Sequence, residues 1–264
     1  MNDAIITVLT DFGYMDPYVG IMKGVIAKIN PKAKIIDISH DVPSFSIKHA
    51  AFSLFSYYRY FPEHTVHLVV VDPGVGSKRK AIVAKIDKRY FVLPDNGVIS
   101  YVWENEKDKD KKVFNIENEK YFLHPVSNTF HGRDIFAPIA AYISRNIGIE
   151  EFGKELEDPV LFPFPKPYIK DNILHGEVIY IDKFGTVVTN IKRDLLDGKE
   201  LFCAEIKTHR ICNFANYYGE YKEGEEFMIF GSSNFLELSI NRGSFSKKLK
   251  VNIGDEVKVI FQIL

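Results

Sequence analysis

The sequence predicts an N-terminal α/β domain with a mostly parallel sheet, followed by a smaller all-β, barrel-like domain. Three observations carry that expectation. Apolar, β-branched runs alternate with helix-spaced segments over residues 1–157. Pro159, Pro163, Pro165 and Pro167 then fall too close together for a helix or a central strand. The remaining chain holds short strand-like runs separated by turn residues. The expected boundaries are 1–157 for the first domain, 158–172 for a proline-rich linker and 173–264 for the second domain.

Residues 4–9 (AIITVL) read as a buried strand. Asp16 and Pro17 predict a helix start, with Asp at the cap and Pro at the first helical position; Tyr18, Ile21, Met22, Val25, Ile26 and Ile29 follow at helical spacing. A strand is expected over 34–38, then a helix capped by Ser46 that carries Ile47, Ala50, Ala51, Leu54 and Phe55. Further strands fall at 66–71, 81–86 and 90–93, a short helix at 97–103 and an amphipathic helix at 135–143. The mixed-charge run 104–112 reads as a solvated loop. In the second domain the expected strands are 176–181, 187–191, 201–206, 227–229, 236–240 and 257–264, with no helix pattern among them.

Composition excludes classes. The 34 Lys and Arg against 35 Asp and Glu lack the basic footprint of a nucleic-acid binder. A 46% hydrophobic content argues against disorder. No apolar run approaches the roughly 18 residues of a membrane span. Asp3 and Asp11 stand where a signal peptide would carry basic residues, so a cytoplasmic protein is expected. Cys203 and Cys212 form no C-x-x-C pattern; a hairpin disulfide is one reading, and two reduced thiols are the expectation for a cytosolic chain.

Four clusters carry chemistry. TDFGYMD (10–16) follows the first strand and places Asp11 where parallel sheets bind ligands; such a carboxylate suits a ribose diol or, equally, nearby backbone N–H groups. VVVDPGVGSKRK (69–80) puts Asp72 at a strand end, with Arg79 near enough to pair with it. Gly74 and Gly76 there permit a turn whose amides, with that of Val75, form a nest for an anion or a water oxygen. SNTFHGRDIFAPIAA (127–141) places His131 at a loop-to-helix junction, with a side chain suited to proton transfer near neutrality. IDKFGTVVTNI (181–191) and SSNF (232–235) put Asp182, Ser232 and Ser233 on loops of the β domain.

In order along the chain, TDFG, DPYVGIMKG, VDPGVG, PDNG, TFHGRDIFAP and IDKFG…TNI resemble the S-adenosylmethionine (SAM) hydroxide adenosyltransferases, adenosine-forming SAM hydrolases related to fluorinase and chlorinase. The resemblance implies cleavage of SAM by water at C5′ and no cofactor beyond this substrate. It also implies an N-terminal α/β domain, a C-terminal β-barrel, and a homotrimer that binds substrate between subunits. It implies Asp72, Arg79 and His131 as the catalytic set; the turn chemistry of Gly74, Val75 and Gly76 adds the expectation that their amides hold the water. By the same matching Asp11 meets the ribose, Phe45 and Phe214 form aromatic walls, Asn96 lies in the PDNG turn, Asp182 meets the methionine ammonium, and Ser232 and Ser233 meet its carboxylate. Thr186 departs from the pattern, standing where an Asn would reach the adenine edge; a hydroxyl cannot present an amide's acceptor and donors together.

The substrate sulfonium leaves as a neutral thioether, so the reaction asks for a placed nucleophile and no general acid. Two rival readings are a divalent-metal hydrolase built on Asp11, Asp16, His40, Asp41 and His131, and an adenosyl-ligand binder without turnover.

Overall fold

The computed structural model describes residues 4–197 and 202–261. Asp3, Leu201 and residues 262–264, which entered the expectations above, lie outside the described residues. The chain divides into two compact units, the first reaching Phe164 and the second beginning at Pro165.

The first unit is built on β1 (Ile5–Thr10), β2 (Lys34–Ser39), β3 (Val66–Val70), β4 (Ala81–Ile86), β5 (Arg89–Pro94) and β6 (Lys111–Asn115), in the sheet order β2-β1-β3-β5-β4-β6. β2, β1, β3 and β5 run parallel, while β4 and β6 are antiparallel additions at one side. Period-2 alternation sends β3 side chains to two cores. Val66, Leu68 and Val70 pack with Met22 and Ile26 of α1 (Tyr18–Ile29) and Ile139 and Ile143 of α4 (Ala137–Ile143). On the other face Val69 and Val71 pack with Ala50 and Leu54 of α2 (Ile47–Tyr57) and Val102 of α3 (Ser100–Asn105). A strand buried on both faces is mostly apolar, which is why 66–71 reads as an apolar run; His67 interrupts it and is buried with its Nδ1 2.9 Å from the Thr7 hydroxyl.

Several local details differ from the sequence reading. α1 begins at Tyr18, because the Ile21 N–H closes the first turn on the Pro17 carbonyl at 2.9 Å, and Asp16 supplies no cap. Ser46 occupies the cap position of α2 without a side-chain bond. Lys111 and Lys112 of the charged run belong to β6, where an edge strand tolerates lysines and discourages further pairing. The segment Gly132–Phe136 is a π-turn ahead of α4. Residues 160 and 162 run along the first unit: the Val160 N–H donates to Asp95 (2.8 Å) and the Phe162 N–H to Ser100 (2.9 Å).

The second unit is an antiparallel, barrel-like sheet of β7 (Tyr168–Lys170), β8 (Ile173–Ile181), β9 (Val187–Lys192), β10 (Phe202–Ile206), β11 (His209–Ile211), β12 (Glu226–Phe230), β13 (Phe235–Ile240) and β14 (Glu256–Phe261). The order is β11-β10-β14-β8-β9-β13-β12, with β7 on β8. The segment after β11 draws the far edges together: the Met228 N–H donates to the Asn213 carbonyl and the Ala215 N–H to the Met228 carbonyl, both at 2.8 Å. β7 falls inside the stretch expected as linker. A short helix, α5 (Phe245–Leu249), fills the core with Phe245, although no helical period was legible there. Among the described residues no helix is long and apolar enough to cross a membrane.

Cys203 and Cys212 are disulfide-bonded, which overturns the expectation of reduced thiols. The physical reason is register: Ala204 pairs with Ile211 across the β10–β11 hairpin, so the next residues outward are the two cysteines. Thiol titration of the denatured, unreduced chain is therefore expected to find no free thiol, and two after reduction; two before reduction would overturn the bond.

Candidate active site

Parallel pairing delivers the candidate residues to one sheet edge. Thr10 of β1 pairs with Val70 of β3, so Asp11 and the Val71–Asp72 segment leave neighbouring strands side by side. β5 ends beside them, and the Asn96 amide braces the junction: its Nδ2 donates to the Val71 carbonyl at 2.9 Å and its Oδ1 accepts from the Val98 N–H at 3.2 Å. Asn96 thus holds the Asp72 strand end with both ends of its side chain.

Asp72, Arg79 and His131 form one contiguous cluster. Arg79 Nε donates to the two Asp72 oxygens at 2.9 and 3.0 Å, its Nη2 also reaches Oδ2, and the same Nη2 lies 2.9 Å from His131 Nδ1. A guanidinium only donates, so Nδ1 must accept and the imidazole proton sits on Nε2. The Asp72 and Arg79 side chains are 5% and 11% exposed. Removing one partner of so buried a pair costs about 3–5 kcal/mol, against about 0–1 for an exposed one. The guanidinium lies over the buried Phe136 ring, its Cζ 5.2 Å from the centroid.

Backbone geometry brings the two loops together. Gly76 has φ +75°, and a Cβ there would stand 2.2 Å from the Asn128 carbonyl oxygen, so glycine alone lets the Asp72 loop dock on the loop before His131. Within that turn the Val75 N–H is committed to the Asp72 carbonyl (3.2 Å) and the Ser77 N–H to that of Gly74 (3.1 Å). The amides of Gly74 and Gly76 have no acceptor among the described residues. His131 caps the π-turn, whose buried Asp134 accepts from Arg133 and from the Ser127 N–H and so fixes the loop. Burial first, and the Arg79 charge second, push His131 below its usual 6.5, outweighing the opposite pull of Asp72 and Asp134.

Asp11 and Phe45 also meet. The Phe45 N–H donates to Asp11 Oδ2 at 2.8 Å and holds Phe45 at φ 67°, a strained backbone for an aromatic, with its ring 70% exposed. Asp11 Oδ1 has no donor among the described residues. The acid and imidazole groups of the metal reading do not converge: among the described residues no three His, Cys, Asp or Glu side chains group as a metal site, and buried His40 turns to Thr10 (2.8 Å) and Asp37 (3.1 Å).

In the second unit Asp182 and Thr186 line a cavity of about 620 Å³. Asp182 Oδ1 caps its own turn, accepting from the N–H groups of Phe184 (2.9 Å) and Thr186 (2.8 Å). Thr186 is 4% exposed, its hydroxyl 3.3 Å from that of Ser239. Ser232 and Ser233 sit in a turn closed by the Asn234 N–H on the Gly231 carbonyl (2.9 Å). Phe214 is half-buried, edge-on to Phe202 and Phe230, and packs against the unit's core. Sequence reasoning missed Tyr218 and Glu237, joined by a hydrogen bond at this cavity. One signal was present: Glu237 interrupts the apolar run FLELSI of β13.

A parallel sheet with an Asp–Arg–His cluster at its strand ends, joined to an antiparallel barrel-like unit, defines the class. Residues 6–153 match the SAM hydroxide adenosyltransferase N-terminal domain and residues 176–258 the C-terminal domain of the same family. A Methanocaldococcus jannaschii protein named (R)-S-adenosyl-L-methionine hydrolase is 39% identical, covering 97% of this chain and 96% of its own. A Thermus thermophilus protein of the same name is 34% identical, over 96% of this chain and 98% of its own. An uncharacterized conserved protein from Thermotoga maritima has a solved structure that superposes with a TM-score of 0.89 at 40% identity, over 97% of this chain and 99% of that one. More distant matches carry the name fluorinase. The chain belongs to the SAM hydroxide adenosyltransferase family.

The neutral, Nδ1-accepting His131 has a direct test. Its NMR titration midpoint is expected below 6.5 and is expected to rise in Arg79→Met, which removes the neighbouring charge. The sign for stability follows: a folded value below the unfolded one makes the contribution of neutral His131 fully present above about 6.5 and lost as pH falls through the folded value. A midpoint at or above 6.5 would overturn the assignment.

Proposed function

We propose that this chain hydrolyses SAM to adenosine and L-methionine, with water attacking C5′ in line with the departing sulfur. The observation that carries this reading is Arg79 held between a carboxylate and a neutral imidazole beside the Asp11 strand end. The water oxygen bonds to C5′, the C5′–S bond breaks, and its electron pair stays on sulfur, which becomes a neutral thioether. Positioning the water supplies orientation, which can reach about 7–11 kcal/mol in intramolecular reactions. The Nη1 donors of Arg79, which have no acceptor among the described residues, the His131 Nε2–H and the Gly74 and Gly76 amides supply donors for the water oxygen in this reading. His131 is no base in this scheme, since Arg79 occupies its one lone pair; Asp72 accepts the water proton as the C–O bond completes.

Asp11 receives the ribose hydroxyls beside Phe45, Asp182 the ammonium through its uncapped oxygen, and Ser232 and Ser233 the carboxylate. No cofactor enters. The curated relatives are named for the R epimer at sulfur, and the same epimer is the substrate proposed here. A cytoplasmic homotrimer binding substrate between subunits completes the reading, supported by the exposed apolar side chains Tyr14, Met15 and Phe45.

In oxygen-18 water the label is expected on the 5′ oxygen of adenosine. Arg79→Met and His131→Gln are expected to lower kcat about 10²–10⁴-fold with KM little changed, while Asp72→Asn, which leaves the Arg79 charge uncancelled beside the sulfonium, is expected to lower kcat and also raise KM. Label in methionine, or no adenosine from the purified chain, would overturn the reaction. Light scattering is expected to give the mass of three chains; a monomer would overturn the assembly.

A further inference from the structure

The cavity of the second unit has a wall that these roles leave unused. Phe184 is 67% exposed and presents a flat aromatic plate among polar groups, with the Lys183 ammonium over the ring at 4.9 Å from its centroid. Beside it Tyr218 gives its phenolic proton to Glu237 Oε2 at 2.8 Å. Glu237 is fixed in turn: a Cβ on Gly231 would stand 1.7 Å from its Oε1, so the carboxylate lies on bare backbone. Burial first raises its pKa, with the charge of Asp182 adding to the rise.

A phenol has one proton. With that proton directed at Glu237, the Tyr218 oxygen is an acceptor; the Thr186 hydroxyl donates to it on one side, and its other lone pair is left at the cavity wall, near the charge of Asp182. An aromatic plate edged by acceptors suits a planar base carrying an amino group. A base with a carbonyl oxygen in that place would set lone pair against lone pair. We propose that Tyr218, oriented by Glu237, selects the 6-amino group of the substrate's purine. Tyr218 is then a specificity-determining residue and Glu237 a positioning residue. The inference rests on the SAM hydrolase reading and deepens it.

The test compares wild type, Tyr218→Phe and Glu237→Gln on SAM and on S-inosylmethionine, whose base carries oxygen in place of the amino group. Tyr218→Phe is expected to raise KM for SAM about tenfold, with kcat within about twofold and no increase in KM for the inosyl substrate. Glu237→Gln, whose amide oxygen still accepts the phenolic proton, is expected to keep most of the preference. A merely structural Tyr218 would move both substrates alike; equal shifts, or none, would overturn the proposal. If wild type turned over neither substrate, the proposed function would fall instead. Calorimetric binding of adenosine and inosine to wild type and Tyr218→Phe would then read the preference independently: its loss in the variant supports the proposal, and its absence in wild type overturns it.

Discussion

The guanidinium of Arg79 is the group on which the rest of the first unit's site depends. It binds both oxygens of Asp72, sets the tautomer of His131 and lowers that residue's affinity for a proton. The surroundings are shaped to it. Phe136 gives it a buried aromatic floor, and a Cβ on Gly74 would stand 3.2 Å from Arg79 Cγ, so a larger residue there would press on the arginine.

The sheet explains why such a return contact forms. β5 lies between β3 and β4, so the chain from Asp72 to Lys80 must cross the end of β5 before running back as β4. The residues just past β5 anchor both ends of that crossing: Asn96 holds the Val71 carbonyl, and the Asp95 N–H donates to the Lys80 carbonyl at 2.9 Å. An all-parallel continuation would have needed a long crossover connection and would have carried Arg79 away from Asp72. The antiparallel addition to the sheet thus positions the arginine, and the Gly76 contact with Asn128 adds the histidine loop.

Much of this was legible in the sequence because it is local. A buried parallel strand is an apolar run, its carboxyl end is a ligand edge, and Asp72, Arg79 and His131 stand in strings that fix the turns around them. What the sequence hid depends on pairing between distant segments. Tyr168–Lys170 is a strand only because β8 lies beside it, and Phe245–Leu249 is too short to show a helical period. The disulfide required the register of one hairpin, and the Tyr218–Glu237 bond joins a turn to a strand 19 residues away. The Val75 amide is a related case: residue type says that a turn forms, while the bond from the Val75 N–H to the Asp72 carbonyl exists only in the folded backbone.

Charge balance ties the cluster to its proposed substrate. A free arginine beside a sulfonium cation would repel it. At an effective dielectric near 20, two like charges about 5 Å apart cost about 3 kcal/mol, about a hundredfold in affinity. Asp72 cancels that charge without removing the outward N–H groups, and neutral His131 adds a donor with no charge of its own. Protonating His131 would make the cluster net positive, break its bond from Arg79 and repel the sulfonium at once. The burial that lowers the imidazole's proton affinity therefore serves binding as well as geometry: the cluster can direct N–H groups at a water oxygen while remaining neutral toward a cation.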